Sequence, residues 1–267
     1  MDIGVTLRNM GPQSTVEVMV SGAKAAEGLG FESIWITDHI AIPPDDAEGS
    51  GGRYLDPLVT LAFLAGQTSS IKLGTGVLIL PYRPALPTVK QIATLQELSR
   101  ERLLLGVGIG WMDAEFRALG IDRHRRGAIS DELLEFLNRC FENDTVTVNG
   151  QPFLFKPRPA KPPVYVGGAA PHALERAARL GDGWLPMAGS AEGLRETIAR
   201  YRDRTEALGR PRGLVTVMSG VPLDDADAGR RALDAFRALD IERLVCGLRY
   251  DTADEYQRQL EALANLC

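Results

Sequence analysis

Short apolar runs recur along the chain, with amphipathic stretches between them. Runs that read as strands lie at 3–7, 33–37, 71–79, 102–107, 164–166, 183–186, 214–218 and 243–246. Between them the apolar positions change to helical spacing, at 15–28, 57–67, 88–99, 172–180, 191–208, 225–238 and 252–265. Strand then helix, repeated roughly every 30 residues, predicts parallel strands joined by right-handed crossovers. The strand runs do not alternate strictly, which fits strands buried on both faces. Eight such units predict one (β/α)8 barrel, a TIM barrel, over 1–267. A doubly wound open sheet is the structural rival. The number of repeats and the lack of a dinucleotide fingerprint favour closure.

Helix ends carry their own signals. Ser14 is placed to cap the first helix, with Glu17 completing a capping box, while Gly28 and Gly30 supply stops. Pro171 suits the first turn of the helix at 172–180. One connection departs from the rhythm. After the fourth strand the chain spends about 60 residues, far more than a short loop needs. It holds a helical stretch at 130–141 and an alternating segment at 145–155 centred on Asn149 and Gly150, a two-residue hairpin signal. It reads as an insertion at about 109–160, too small to form a second core.

Composition changes this picture little, but it removes several functions. A formal net charge of −5 argues against a general nucleic-acid binder, which needs a dense basic face. The three cysteines, Cys140, Cys246 and Cys267, are far apart and odd in number, so they read as free thiols. No run is apolar for long enough to cross a membrane and none reads as a secretion signal, so the cytosol is the expected location. The histidines His39, His124 and His172 are scattered without metal-ligand spacing, so no metal site is expected. There is no Gly-x-Ser-x-Gly elbow and no phosphate-binding Walker loop.

In a barrel, chemistry belongs just past the carboxyl ends of the strands. That rule selects Arg8 and Asn9, then Asp38 and His39, the Pro81 to Pro84 loop, Gly106 to Trp111, Gly167 and Gly168, Trp184 and Met187, and Arg249. His39 is the acid–base candidate, because imidazole titrates near neutrality. Asp38 is its neighbour in sequence, but adjacent strand residues point to opposite sides, so the two need not pair; the pair also reads simply as a cap on the following loop. Gly106, Gly108 and Gly110 imply either close approach of a planar ligand or tight packing inside the barrel. Gly167 and Gly168, which precede a helix, read as a phosphate-binding turn or as a tight βα turn with no ligand. The basic run from Asp122 to Arg126 reads as a solvated face or as a contact for an anionic group.

Together these segments resemble the luciferase-like monooxygenase superfamily, in particular its branch that uses coenzyme F420. The likeness rests on GFESIWITDH at 30–39, LGTGV at 73–77, LQELS at 95–99, and LGVGIGW at 105–111 followed by Glu115 and Phe116. It continues through VGG at 166–168 and GDGW at 181–184, in family order. The resemblance implies a flavin or deazaflavin ring at the barrel mouth and His39 as the catalytic acid–base residue. Asp38, Gly76, Val77, Gly108, Gly110, Gly167, Gly168 and Trp184 would bind the cofactor, with a cis peptide at Gly76–Val77 supporting the ring. It implies hydride transfer between F420 and a small organic substrate. The alternatives are an FMN-dependent monooxygenase served by a flavin reductase, or a barrel that binds a flavin without catalysis. Sugar-phosphate dehydrogenases of the F420 branch carry a glutamate where this chain has Trp111, which implies a more apolar substrate pocket. Arg158, Lys161 and Arg249 are candidates for the acidic tail of F420. A homodimer is also implied, and Leu58, Leu61, Phe63 and Leu64 form either its interface or part of the core.

Overall fold

The computed structural model describes residues 1–267. Its strands are β1 (Asp2–Thr6), β2 (Ser33–Ile36), β3 (Lys72–Ile79), β4 (Leu103–Gly108), β5 (Thr145–Val148), β6 (Gln151–Leu154), β7 (Val164–Gly167), β8 (Gly183–Leu185), β9 (Leu214–Ser219) and β10 (Arg243–Cys246). Its helices are α1 (Val16–Gly28), α2 (Pro57–Ala65), α3 (Ala85–Leu98), α4 (Asp113–Leu119), α5 (Arg126–Glu142), α6 (His172–Leu180), α7 (Leu194–Ala207), α8 (Ala226–Arg237) and α9 (Ala253–Ala264). Eight strands close in the order β1-β10-β9-β8-β7-β4-β3-β2, every neighbouring pair parallel. The expected (β/α)8 barrel is therefore present and the open sheet is not.

Side chains from several strands fill the barrel interior. Trp35, Leu104, Tyr165, Leu185 and Val245 form one buried cluster. The strand glycines make room for its two largest rings. A Cβ on Gly74 would lie 2.3 Å from the Trp35 ring, and one on Gly183 would lie 2.4 Å from Tyr165. A Cβ on Gly106 would meet the Thr75 carbonyl oxygen at 2.0 Å and Trp35 at 3.2 Å. Tight packing thus accounts for Gly106. The larger cluster lies between the barrel and its helices, where Leu58, Leu61 and Leu64 of α2 are fully or almost fully buried. These three belong to the core; of the proposed interface stripe only Phe63 is exposed, at 44%.

Local chemistry adjusts several boundaries. The α1 cap is Thr15, whose side chain accepts from the Val18 N–H. Ser14 instead donates to the Gly11 carbonyl and accepts from Arg53 Nε. α1 stops where Gly30 takes φ +80°, with the Gly30 and Phe31 N–H groups closing back on Glu27 and Ala26. α3 begins three residues before the expected start, because Pro87 falls in its first turn, where no amide hydrogen is needed. Pro171 stands at the N-cap of α6, one place before the first turn. The 109–160 insertion is narrower than the sequence suggested. α5 packs between α3 and α6 as the fourth helix of the ring, leaving α4 and the β5–β6 hairpin as the additions. That hairpin turns at Asn149 and Gly150, both with positive φ.

The amino ends of the strands are closed by a buried ion network. Arg243 is 1% exposed and bonds Glu32 through two nitrogens, each at 2.7 Å. It also reaches Tyr165 Oη and Thr216 Oγ1. The network ties these ends together, while the loops past the carboxyl ends are where barrel chemistry is expected.

Candidate active site

The first groups past β2 are fixed from below by Asn9, which is fully buried. Its amide donates to the carbonyls of Thr37 and Leu55, both at 2.8 Å, and its oxygen accepts from the Thr37 N–H. This sets the direction of the next two side chains. Asp38 turns away from His39, accepts the Ile79 N–H at 2.8 Å and forms a two-pronged pair with Arg83, which also reaches Asp56. Asp38 therefore locks the end of β3 and its following loop to β2.

His39 finds its carboxylate elsewhere. Glu115 of α4, fully buried, lies 2.8 Å from His39 Nδ1. The Glu115 carboxylate also accepts from Tyr82 Oη at 2.8 Å and from the N–H groups of Ile40 and Ala41 at 2.6 and 3.0 Å. Burial pushes the Glu115 carboxyl upward, but the Ala41 and Ile40 amides, His39 and Tyr82 outweigh it, so its pKa is lowered. Burial and the same carboxylate push the Tyr82 hydroxyl up, so it stays protonated and donates. An ionised Glu115 accepts only, which places the His39 proton on Nδ1 and leaves Nε2 without a protein partner. The imidazole is flanked by Tyr54, with centroids 4.9 Å apart, and edge-on by Trp111 at 6.2 Å.

The expected cofactor residues cluster at the same end of the barrel. The Gly76–Val77 peptide is cis, and the β3–β4 register shifts between Thr75 and Leu78. A Cβ on Gly76 would stand 3.0 Å from Met218. The Val77 side chain occupies the space over two strands: a Cβ on Gly108 would fall 2.5 Å from it, and one on Gly167 2.7 Å. Gly110, at φ +74°, packs near Ile79 and Phe116; Gly168 has φ +116°. Trp184 is buried in the helix-facing layer against Tyr201 and reaches this region through one bond, Nε1 to the Gly168 carbonyl at 2.9 Å. Trp111, Met187 and Ile40 are exposed apolar groups on the loops of this end.

Two proposed tail contacts lie elsewhere. Lys161 pairs with Asp182 beside the amino end of β8, and Arg158 pairs with Asp144. Arg249 is exposed after β10. In the basic run, His124 and Arg125 are exposed, whereas Arg123 and Arg126 each bury an Nε–H with no partner.

The sequence pattern of the luciferase-like monooxygenases matches residues 3–265. The chain belongs to that family. Among its relatives is an F420-dependent hydroxymycolic acid dehydrogenase of Mycobacterium tuberculosis, 30% identical over 218 residues, covering 78% of this chain and 58% of the relative. Solved structures with the same fold include the monooxygenase RslO1 of Streptomyces bottropensis, with TM-score 0.82, 22% identity, and coverage of 99% and 98% of the two chains. An F420-dependent secondary alcohol dehydrogenase in complex with an F420–acetone adduct superposes with TM-score 0.76 at 17% identity, covering 98% of each chain. For a luciferase-like barrel, the contact that sequence reasoning missed is Glu115. It was visible only as a motif letter, because Asp113, the other acid between the apolar Met112 and Phe116, is exposed and the local spacing did not tell the two apart.

Proposed function

We propose that this luciferase-like protein is an oxidoreductase that uses coenzyme F420 to exchange a hydride with a small organic substrate, with His39 as the proton partner. The buried Glu115 carboxylate that fixes the His39 proton on Nδ1 carries this reading. It leaves Nε2 free to accept a proton from a substrate hydroxyl, or to return one to a carbonyl. The residues suit an anionic cofactor. Arg123 and Arg126 hold buried N–H groups without acceptors, which a phosphate or an acidic tail would supply. The turn at Gly167 and Gly168, just before α6, suits the phosphate. Asp38, Gly76, Val77, Gly108, Gly110 and Trp184 would shape and support the ring site. The deazaflavin would supply two-electron hydride chemistry; the protein orients, shields and moves the proton. Trp111, Met187 and Ile40 favour an apolar substrate.

The experiment is a fluorescence titration of the cofactor-free protein with F420 and with FMN, followed by turnover on a panel of secondary alcohols. Saturable F420 binding is expected, stronger than that of FMN. His39→Asn should keep this binding and lower kcat by about 10²- to 10⁴-fold. Preference for FMN would favour the monooxygenase reading with a partner reductase. Tight binding without turnover would favour a non-catalytic barrel.

A further inference from the structure

The end of the barrel opposite His39 holds a second set of groups that the proposed reaction does not use. A pocket of about 270 Å³ opens beside the amino ends of β8 and β9, lined by Asp182, Tyr201, Thr205, Arg210, Arg212 and Gly213 among others. A single water needs only about 15 Å³ of such space. Tyr201 is fully buried, yet its hydroxyl has no hydrogen-bond partner. Burial raises its pKa, so the oxygen carries its proton and is available as a donor.

The surroundings are cationic. Arg210 donates one N–H to the Ala178 carbonyl at 2.8 Å and pairs with no carboxylate. Arg212 and Arg202 share Asp240, and the Arg202 Nε is buried without a partner. Asp182 is taken up by Lys161 and by the Val164 N–H. Of the charged groups that line the pocket, Arg210 and Arg212 thus face the single carboxylate of Asp182, with a neutral hydroxyl donor among them. Buried donors normally have acceptors, and a group that supplies oxygen atoms and negative charge satisfies both features at once.

We propose that this pocket binds a small oxyanion, a phosphate or a carboxylate, which accepts from the Tyr201 hydroxyl and pairs with Arg210 and Arg212.

The test is thermal unfolding and calorimetric titration of the cofactor-free protein with inorganic phosphate or acetate, against chloride at equal ionic strength. At ten times its Kd, the bound oxyanion should raise Tm by about 3 °C. Tyr201→Phe deletes only the unpartnered hydroxyl. Its unliganded Tm should match or exceed that of the parent, with Kd weakened about 10-fold or more. Arg210→Gln, a second variant that does not touch the hydroxyl, should weaken Kd likewise, and His39→Asn should bind as the parent does. Whichever of phosphate and acetate binds identifies the source of the oxyanion. The proposal is overturned if neither shifts Tm beyond chloride, or if both pocket variants bind like the parent. Phosphate held at the Gly167–Gly168 turn would bind equally well in both pocket variants, so their weakened Kd separates this pocket from the fate of the F420 reading.

Discussion

The contact between His39 and Glu115 spans 76 residues of chain, and it decides which imidazole nitrogen is free. Replacing the carboxylate with an amide of the same shape would reverse the bond. In Glu115→Gln the amide N–H can donate to Nδ1, which moves the neutral ring's proton to Nε2 and removes the free lone pair. The expected result is F420 binding close to that of the parent, with kcat lowered about 10²- to 10⁴-fold. Nitrogen chemical shifts of the His39 ring should report the exchange of tautomer. Unchanged turnover would remove the orienting role. Sequence reading located His39 from its place at a strand end, because that rule needs only local information. It could not locate Glu115, whose position depends on how α4 folds back over β2. The adjacent Asp38 was the tempting partner. Strand alternation already argued against it, and its bonds to Arg83 and Ile79 show where it goes instead.

Among the elements, the strands were the most legible. Runs buried on both faces have few polar interruptions, so their ends are marked by glycine, proline and charge. The role of the strand glycines was not legible, because each makes room for a group from a different strand. Gly74 yields to Trp35, Gly106 to the Thr75 carbonyl, and Gly108 and Gly167 to Val77. This gives a paired prediction for β3 and β4. Gly108→Ala should destabilise by about 1–3 kcal/mol, as overpacking does, since its Cβ would sit 2.5 Å from Val77. Val77→Ala removes the opposing methyl groups, so the double variant should recover most of that loss, which denaturant unfolding of all four proteins would measure. Strictly additive effects would show that the clash is relieved elsewhere. The connection after β4 was misread for a comparable reason. Its length is legible in sequence, but which of its helices joins the ring depends on the gap between α3 and α6.

Across the whole molecule, the two ends of the barrel differ in their use of charge. The carboxyl ends hold the His39–Glu115 contact and the Asp38–Arg83 pair, while the amino ends are tied together by Arg243, Glu32 and Lys72. Closure into eight strands was legible from the repeat count, but this division was not, because it brings together residues from opposite ends of the chain. A related tie links α1 to the entry of β3. Glu27 Oε1 accepts the N–H groups of Ser69, Ser70 and Ile71 at 2.6–3.0 Å. Burial opposes ionisation there, but those amides outweigh it and hold the carboxyl down to about 2, from an ordinary 4.5. A carboxyl lowered on folding adds stability that is fully present above its unfolded value and is lost as pH falls through its folded value. Glu32 and Glu115 are shifted in the same direction. The urea midpoint should therefore hold from pH 7 down to about 5 and then fall steadily toward pH 2. Glu27→Gln keeps the accepting oxygen but not the charge. It should start below the parent at pH 7, lose less on acidification, and meet the parent curve near pH 2. Two parallel curves would mean that the charge on Glu27 adds nothing to the joint between α1 and β3.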